Sequence, residues 1–341
     1  MTASAFECVM IYGSFNSLKA MRSIGAFVFA VLLALPAWAV WPVGPVKIVV
    51  PYAPGGPGDS LGRLAAEVLS KRYGQVFFVE NRPGAAGALA ALAVSKVAAD
   101  GQTLLIGASG SLAIGPAFAD PGYHPMRDFS HIAVLAGTPS VLVVNASLPV
   151  TDLRSFLARA AASKTGTNWA AGGRGTVQQL IGEMLMSSAA IGNAVHVDYK
   201  GDGPLLNDLL GGHIEAAFMT LSAARVHIKA GSLRALALST SRRNPEFKEL
   251  PTFLELGYPE LTSATWFCLS APDGLPTELV AQLNREVRMG LRQPAVQRQL
   301  LAQDFEAYDL GPLESTRFIE SETLRWGALV RALDGKAKPA K

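Results

Sequence analysis

The chain has 341 residues, with 30 Lys and Arg against 27 Asp and Glu, a net charge of +3. That mild balance, with no basic stripe, excludes a nucleic-acid partner. Its two cysteines, Cys8 and Cys268, are too few for a cysteine metal cluster.

The N-terminus reads as an export signal. Lys19 and Arg22 precede an apolar run at residues 24–35, and Pro36-Ala37-Trp38-Ala39 supplies an A-x-A cleavage pattern. The run is shorter than the about 20 residues that a membrane span needs. Residues 1–39 are therefore expected to be a cleaved signal peptide, with Met21 the expected true start. Cleavage removes Cys8 and leaves Cys268 alone, so no internal disulfide forms. The mature remainder, roughly 300 residues, fits two α/β domains of about 150 each.

Residues 46–51 form a Val/Ile run of the kind buried in parallel sheets. A glycine-rich turn follows at residues 53–59. Asp59 is the expected N-cap of a helix carrying Leu61, Leu64, Ala65, Val68 and Leu69 on one face, and Gly74 ends it. A strand at 76–80, the turn Asn81-Arg82-Pro83-Gly84, an Ala-rich helix at 86–98 and a strand at 103–107 complete a βαβαβ pattern. Such a pattern implies a parallel sheet with right-handed crossovers. Further strands are expected at 132–135, 141–144 and 168–171. The last runs into a second glycine turn, Gly172-Gly173-Arg174-Gly175-Thr176, and a helix with Leu180, Met184 and Leu185. Strands at 194–197, 214–218, 234–239 and 264–270 follow. Gly203-Pro204 opens the helix at 205–210, since proline suits a first helical turn. Amphipathic helices at 277–292 and 314–333 close the chain. The expected fold class is α/β and two-lobed. Each lobe is a mostly parallel sheet flanked by helices, and the lobes are joined by two crossings near residues 143–145 and 263–267. Lobe 1 takes residues 42–143 and 266–335, lobe 2 takes 144–265, and 336–341 form a flexible tail.

The two glycine turns carry the functional reading. A turn that opens a helix aims free N–H groups and the positive end of the helix dipole at one spot, which suits an anion. In the first turn, Tyr52, Pro54, Gly55 and Gly56 cradle a carboxylate, and Asp59 either caps the helix or accepts from a ligand donor. Ser109 and Ser111, at the end of the 103–107 strand, are either ligand donors or turn residues. They brush against the hydrolase elbow G-x-S-x-G, but Ser111 occupies the final glycine position. In the second turn, Gly175 presents backbone, and Thr176 caps its helix or binds the ligand. Arg174 either grips a second carboxylate through both guanidinium nitrogens or lies on the surface. Gln178 is a further donor or a solvated helix residue. Tyr199 either lids the ligand or packs on Pro204, and Thr220 lies at the end of the 214–218 strand. Trp169 and Trp266 are core or cleft-lining residues. The five histidines form no metal-ligand spacing, and no cofactor is expected.

These turns also resemble a known family. The Bug (Bordetella uptake gene) family consists of the extracytoplasmic solute receptors of tripartite tricarboxylate transporters. Its P-[FY]-x-x-G-G-x-x-D pattern is met at every fixed position by residues 51–59. Its N-R-P-G-A-G-G resembles residues 81–87, with Ala86 replacing a glycine, and its A-D-G-Y-T-L-L resembles 99–105, with Gln102 for tyrosine. Further motifs resemble residues 199–204, 208–212, 231–237 and 251–257, and Trp266. The ordered set covers nearly the whole mature chain. It implies a periplasmic binding protein of type II-like topology that is not an enzyme. It also implies a small organic carboxylate as ligand, and one large and one small transporter membrane subunit as partners. A monomer in the periplasm is expected. The family's serine before the second turn is Ala171 here, and the Asp or Asn common near Met219-Thr220 is missing, which suggests a ligand without a free ammonium. Two other readings stand beside this one: a receptor feeding a sensor protein, and an exported α/β hydrolase using Ser109.

Overall fold

In this computed structural model, residues 41–337 are described, with side chains through residue 332. The expected signal peptide lies outside them. The chain divides into an N-terminal unit, Met1–Val43, and a second unit, Gly44–Lys341, that holds every element below. No helix among the described residues is long and apolar enough to cross a membrane.

The first half opens with β1 (Val46–Val50), α1 (Pro57–Tyr73) and β2 (Phe77–Asn81), followed by α2 (Ala88–Ser95), β3 (Thr103–Ala108) and α3 (Gly115–Phe118). β1 pairs in parallel with both β2 and β3, as the Val/Ile run and its helical crossovers require. The helix after β2 is shorter than expected because Ala86 (φ 51°) and Gly87 (φ 94°) occupy the left-handed region and delay its start.

The largest departure from expectation is β4 (Phe129–Asn145). Two short strands were expected there, and one 17-residue strand is found. Gly137-Thr138-Pro139 looks like a loop in the sequence. Instead it stays extended, because Pro139 lies opposite Ala264 at the point where β4 exchanges one set of partners for another. Up to Pro139 its neighbours are β9 (Ala264–Pro272) and β10 (Glu306–Ala307). From Ser140 onward they are β7 (Ala216–Thr220) and β8 (Leu233–Leu238). These central pairings are antiparallel, and β9 also runs antiparallel to β3. The parallel ladders are β2–β1–β3 in the first half and β7–β5–β6 in the second. There β5 (Thr167–Ala171) and β6 (Ala194–Asp198) join α4 (Leu153–Ala162), α5 (Val177–Ser188), α6 (Asp202–Leu210) and α7 (Leu221–Lys229). The C-terminal α8 (Thr277–Leu291), α9 (Pro294–Ala302) and α10 (Pro312–Ala337) complete the chain.

Ser239 ties Ser140 of β4 to Ser263, just before β9. It is fully buried. Its Oγ accepts from the Ser140 N–H (2.8 Å) and donates to the Ser263 carbonyl (2.7 Å). Its own N–H donates to the Ser140 carbonyl, and its carbonyl accepts from the Ser263 N–H. Both tryptophans left open by the sequence are core: Trp169 and Trp266 are buried, and Trp266 Nε1 donates to Glu322 (3.0 Å).

Candidate functional site

The first turn is built differently from expectation. Gly56, not Asp59, occupies the N-cap of α1, and Asp59 is the third residue inside the helix. From there its carboxylate folds back. Oδ2 accepts the Gly55 N–H (3.0 Å) and the Arg63 Nε–H (2.9 Å), and Oδ1 accepts Asn81 Nδ2 (2.8 Å). Burial alone would raise the Asp59 carboxyl, but the hydrogen bonds from Arg63, Gly55 and Asn81 hold it below the ordinary carboxylate range. Asn81 also donates to the Tyr52 carbonyl (3.0 Å). Asn81 is therefore the clamp of this turn. Sequence reasoning saw it only as part of a motif. The amide of Gly55 is taken internally, whereas those of Gly58 and Asp59 lie in the first helical turn, with no earlier carbonyl of the helix to receive them. Pro54 and Gly55 are exposed, and Gly56 is half-buried. The Tyr52 ring meets Phe267 edge to face, with 5.9 Å between centroids. A Cβ on Gly58 would come within 2.4 Å of that tyrosine ring, so only glycine fits there.

The second turn repeats the device. Thr176 caps α5: its Oγ1 accepts the Gln179 N–H (3.3 Å) and donates to the Gly173 carbonyl (2.7 Å). Gln179, third in its helix like Asp59, accepts the Gly175 N–H through Oε1 (2.7 Å). Sequence reasoning passed over Gln179, although its spacing from Gly175 equals that of Asp59 from Gly55. Gln178 is buried and donates from Nε2 to Thr265 Oγ1 (3.0 Å), so it is no solvated helix residue. Arg174 is exposed, and its guanidinium lies 5.8 Å from the Phe118 ring centroid. This contact joins the second turn to a residue of the first half.

The structure brings the second turn against the first half. A Cβ on Gly110 would lie 3.4 Å from the Gly175 carbonyl and 3.0 Å from that of Ala86. A Cβ on Gly87 would meet both Pro51, where the first turn begins, and Ser111. The two turns are thus linked through Gly87, Ser111 and Gly110. Ser111 Oγ is engaged within its own turn by the Ala108 backbone (3.2 Å). Ser109 is buried, and its Oγ has no partner. No histidine reaches it to act as base, as a nucleophile would need.

Tyr199 is half-buried and anchored on α6. Its hydroxyl donates to Asp208 (2.5 Å) and its ring packs with the α6 core, and burial followed by that hydrogen bond pushes its pKa up to about 12. Thr220 is buried and gives both its N–H (3.2 Å) and its Oγ1–H (2.7 Å) to Asp202 Oδ2. Among the described residues no group of three His, Cys, Asp or Glu is placed to hold a metal ion. His131 is buried between Ser270 and the Pro125 carbonyl, and burial lowers its pKa to about 4.

A family model described as "Tripartite tricarboxylate transporter family receptor" matches residues 61–334. The chain belongs to this receptor family. BugT of Bordetella pertussis is 34% identical over 284 residues, covering 82% of this chain and 86% of that protein. An R. palustris protein solved with adipate is 34% identical, with a TM-score of 0.81 over 86% of this chain and 98% of that one. MatC from Rhodopseudomonas palustris, solved with bound malate, is 31% identical, with a TM-score of 0.78 over 85% and 100%. The receptor family consists of solute-binding components of transporters, not enzymes.

Proposed function

We propose that the receptor captures a small organic carboxylate between its two halves and presents it to a tripartite transporter. One observation carries this reading: two helix-opening glycine turns, from different halves, meet through Gly87 and Gly110. With the Gly55 and Gly175 amides already bonded, the ligand's donors are the next ones along: Gly58 and Asp59 on α1, Val177 and Gln178 on α5. Each pair sits at the positive end of a helix dipole. Tyr52, Ser109 and Thr220 line the same space. Asp59, Ser111, Thr176 and Tyr199 hold its walls. Arg174 latches the rim on Phe118.

The two lobes hinge where β4 changes partners, between Pro139 and Ser140, and where the chain enters β9 after Ser263. Closure brings the turns together and excludes water, so the ligand's charge meets N–H dipoles in a drier setting. The relatives solved with adipate and malate support a dicarboxylate. The receptor works as a monomer in the periplasm after loss of residues 1–39, docking on one large and one small membrane subunit. Calorimetry against mono-, di- and tricarboxylates tests this reading. At least one dicarboxylate should bind with micromolar affinity or better, about −8 kcal/mol. A panel with no heat from any member overturns it.

A further inference from the structure

The face of the sheet beneath the two turns is lined with hydroxyls. In β4, Thr138 lies opposite Thr265 and Ser140 lies opposite Thr220. Residues two apart on a strand share a face, and so do directly opposed residues. All four hydroxyls therefore gather on one side at the crossing. The same side carries Phe267, which meets Tyr52 of the first turn. Gln178 reaches down to it from α5, and Asp202 from α6. The Thr138 and Ser140 hydroxyls are sealed from solvent and have no partner.

Asp202 is an acid that stands over this face. Thr220 satisfies its Oδ2 twice, through N–H and Oγ1–H. Its Oδ1 receives no such donor and points to Gly172, where a Cβ would stand 3.0 Å away. Among the described residues no Lys, Arg or His forms an ion pair with Asp202. Burial pushes its carboxyl above the ordinary range despite the Thr220 bonds. Asp202 is half-buried, and Oδ1 is not one of the sealed, unpartnered polar atoms, so this acceptor is within a solute's reach. Closure over a solute that lacks a donor would strand it, and a donor on the solute satisfies it.

We propose that Asp202 is the specificity-determining residue of the cleft, accepting through Oδ1 a hydrogen bond from a hydroxyl or ammonium on the solute. The receptor then selects organic acids that carry such a donor over plain ones. This rests on the carboxylate-receptor reading. It also reverses the expectation drawn from the missing acid at Met219-Thr220, because α6 delivers an acid to Thr220 from 18 residues away.

The test is calorimetry on the wild-type receptor and on Asp202→Ala, with three ligands of equal chain length: a plain dicarboxylate, its 2-hydroxy form and its 2-amino form. The wild type should bind one donor-bearing form at least about tenfold more tightly than the plain acid, as expected when a site is built around a ligand's polar hydrogen. The two substituted arms distinguish hydroxyl from ammonium. Asp202→Ala should erase that preference, leaving the donor-bearing forms no tighter than the plain acid in the same variant. If the wild type binds the plain acid as tightly as both others, Asp202 has no such role, whatever the variant does, and the receptor reading stands. A preference that survives in Asp202→Ala also overturns the inference. Absence of binding by all three and by every other carboxylate overturns the receptor reading and this inference with it.

Discussion

The two glycine turns are built on one plan with different chemistry. In each, the residue before the N-cap gives its amide to the third residue of the following helix: Gly55 to Asp59, and Gly175 to Gln179. In each, the sixth helical residue is a glycine that lets the helix press on the strand leading into the turn. Gly62 faces Val50, and Gly182 faces Trp169. The first turn, however, carries a full carboxylate, paired with the Arg63 charge and hydrogen-bonded by Asn81, whereas the second uses a neutral amide and adds a threonine cap. The plan fixes the backbone, and the side chains set the field. A negative charge beside an anion site is tolerable only because its lone pairs are already occupied, and the second turn avoids the problem altogether.

The glycine pair gives the strongest test of the shared plan. A Cβ on Gly182 would stand 2.1 Å from the Trp169 ring, which is buried and cannot retreat. Gly182→Ala should cost about 3 kcal/mol in chemical denaturation, the upper end for overpacking. A Cβ on Gly62 would stand 2.6 Å from a Val50 methyl. Gly62→Ala should cost about 1–2 kcal/mol, because a methyl yields more readily than an indole. Equal losses would mean that the two helices are not seated alike.

The folded-back side chains come next. Asp59→Ala strands three donors and should cost about 2 kcal/mol, whereas Gln179→Ala strands the Gly175 amide and should cost about 1 kcal/mol. Acid separates them further. The folded-state pKa of Asp59 is depressed, so its contribution is fully present above the ordinary value of 3.8 and is lost as pH falls through the lower folded value. The Asp59→Ala deficit should therefore shrink in that acid range while the Gln179→Ala deficit stays constant. Parallel pH profiles for the two variants would remove the electrostatic distinction drawn here.

The smallest effect concerns the rim. Arg174→Ala loses one exposed cation–π contact with Phe118, so stability should move by less than about 0.5 kcal/mol. If Arg174 is a latch, the variant should release mono- and dicarboxylates faster in the same proportion in stopped flow. A loss confined to dicarboxylates would restore it to the interior as a ligand for a second carboxylate.

Local sequence made the first turn and its flanking elements legible. A Val/Ile run, a double glycine and helical spacing specify β1, the turn and α1 without help from elsewhere. The reading failed where the deciding contact is distant. Gly137-Thr138-Pro139 carries loop chemistry, yet β9 holds it extended. Asp59 has the composition of an N-cap, yet Asn81 and Arg63 draw it into the helix. Nothing in the sequence around Asp202 marks it, and only its hydrogen bonds with Thr220 reveal it. Asp208 draws the Tyr199 hydroxyl along α6 in a way that spacing alone does not announce.

The Ser239 junction bears on how the halves can move. Two strands passing between bodies permit bending, twisting and shear, and each freedom blurs the geometry of a closed cleft. Under the proposed hinge, Ser239 fastens Ser140 and Ser263 to one buried residue and would keep the two mounts aligned, leaving swinging soft and torsion stiff. Four hydrogen bonds on one small residue would thus guide the closing motion along one arc.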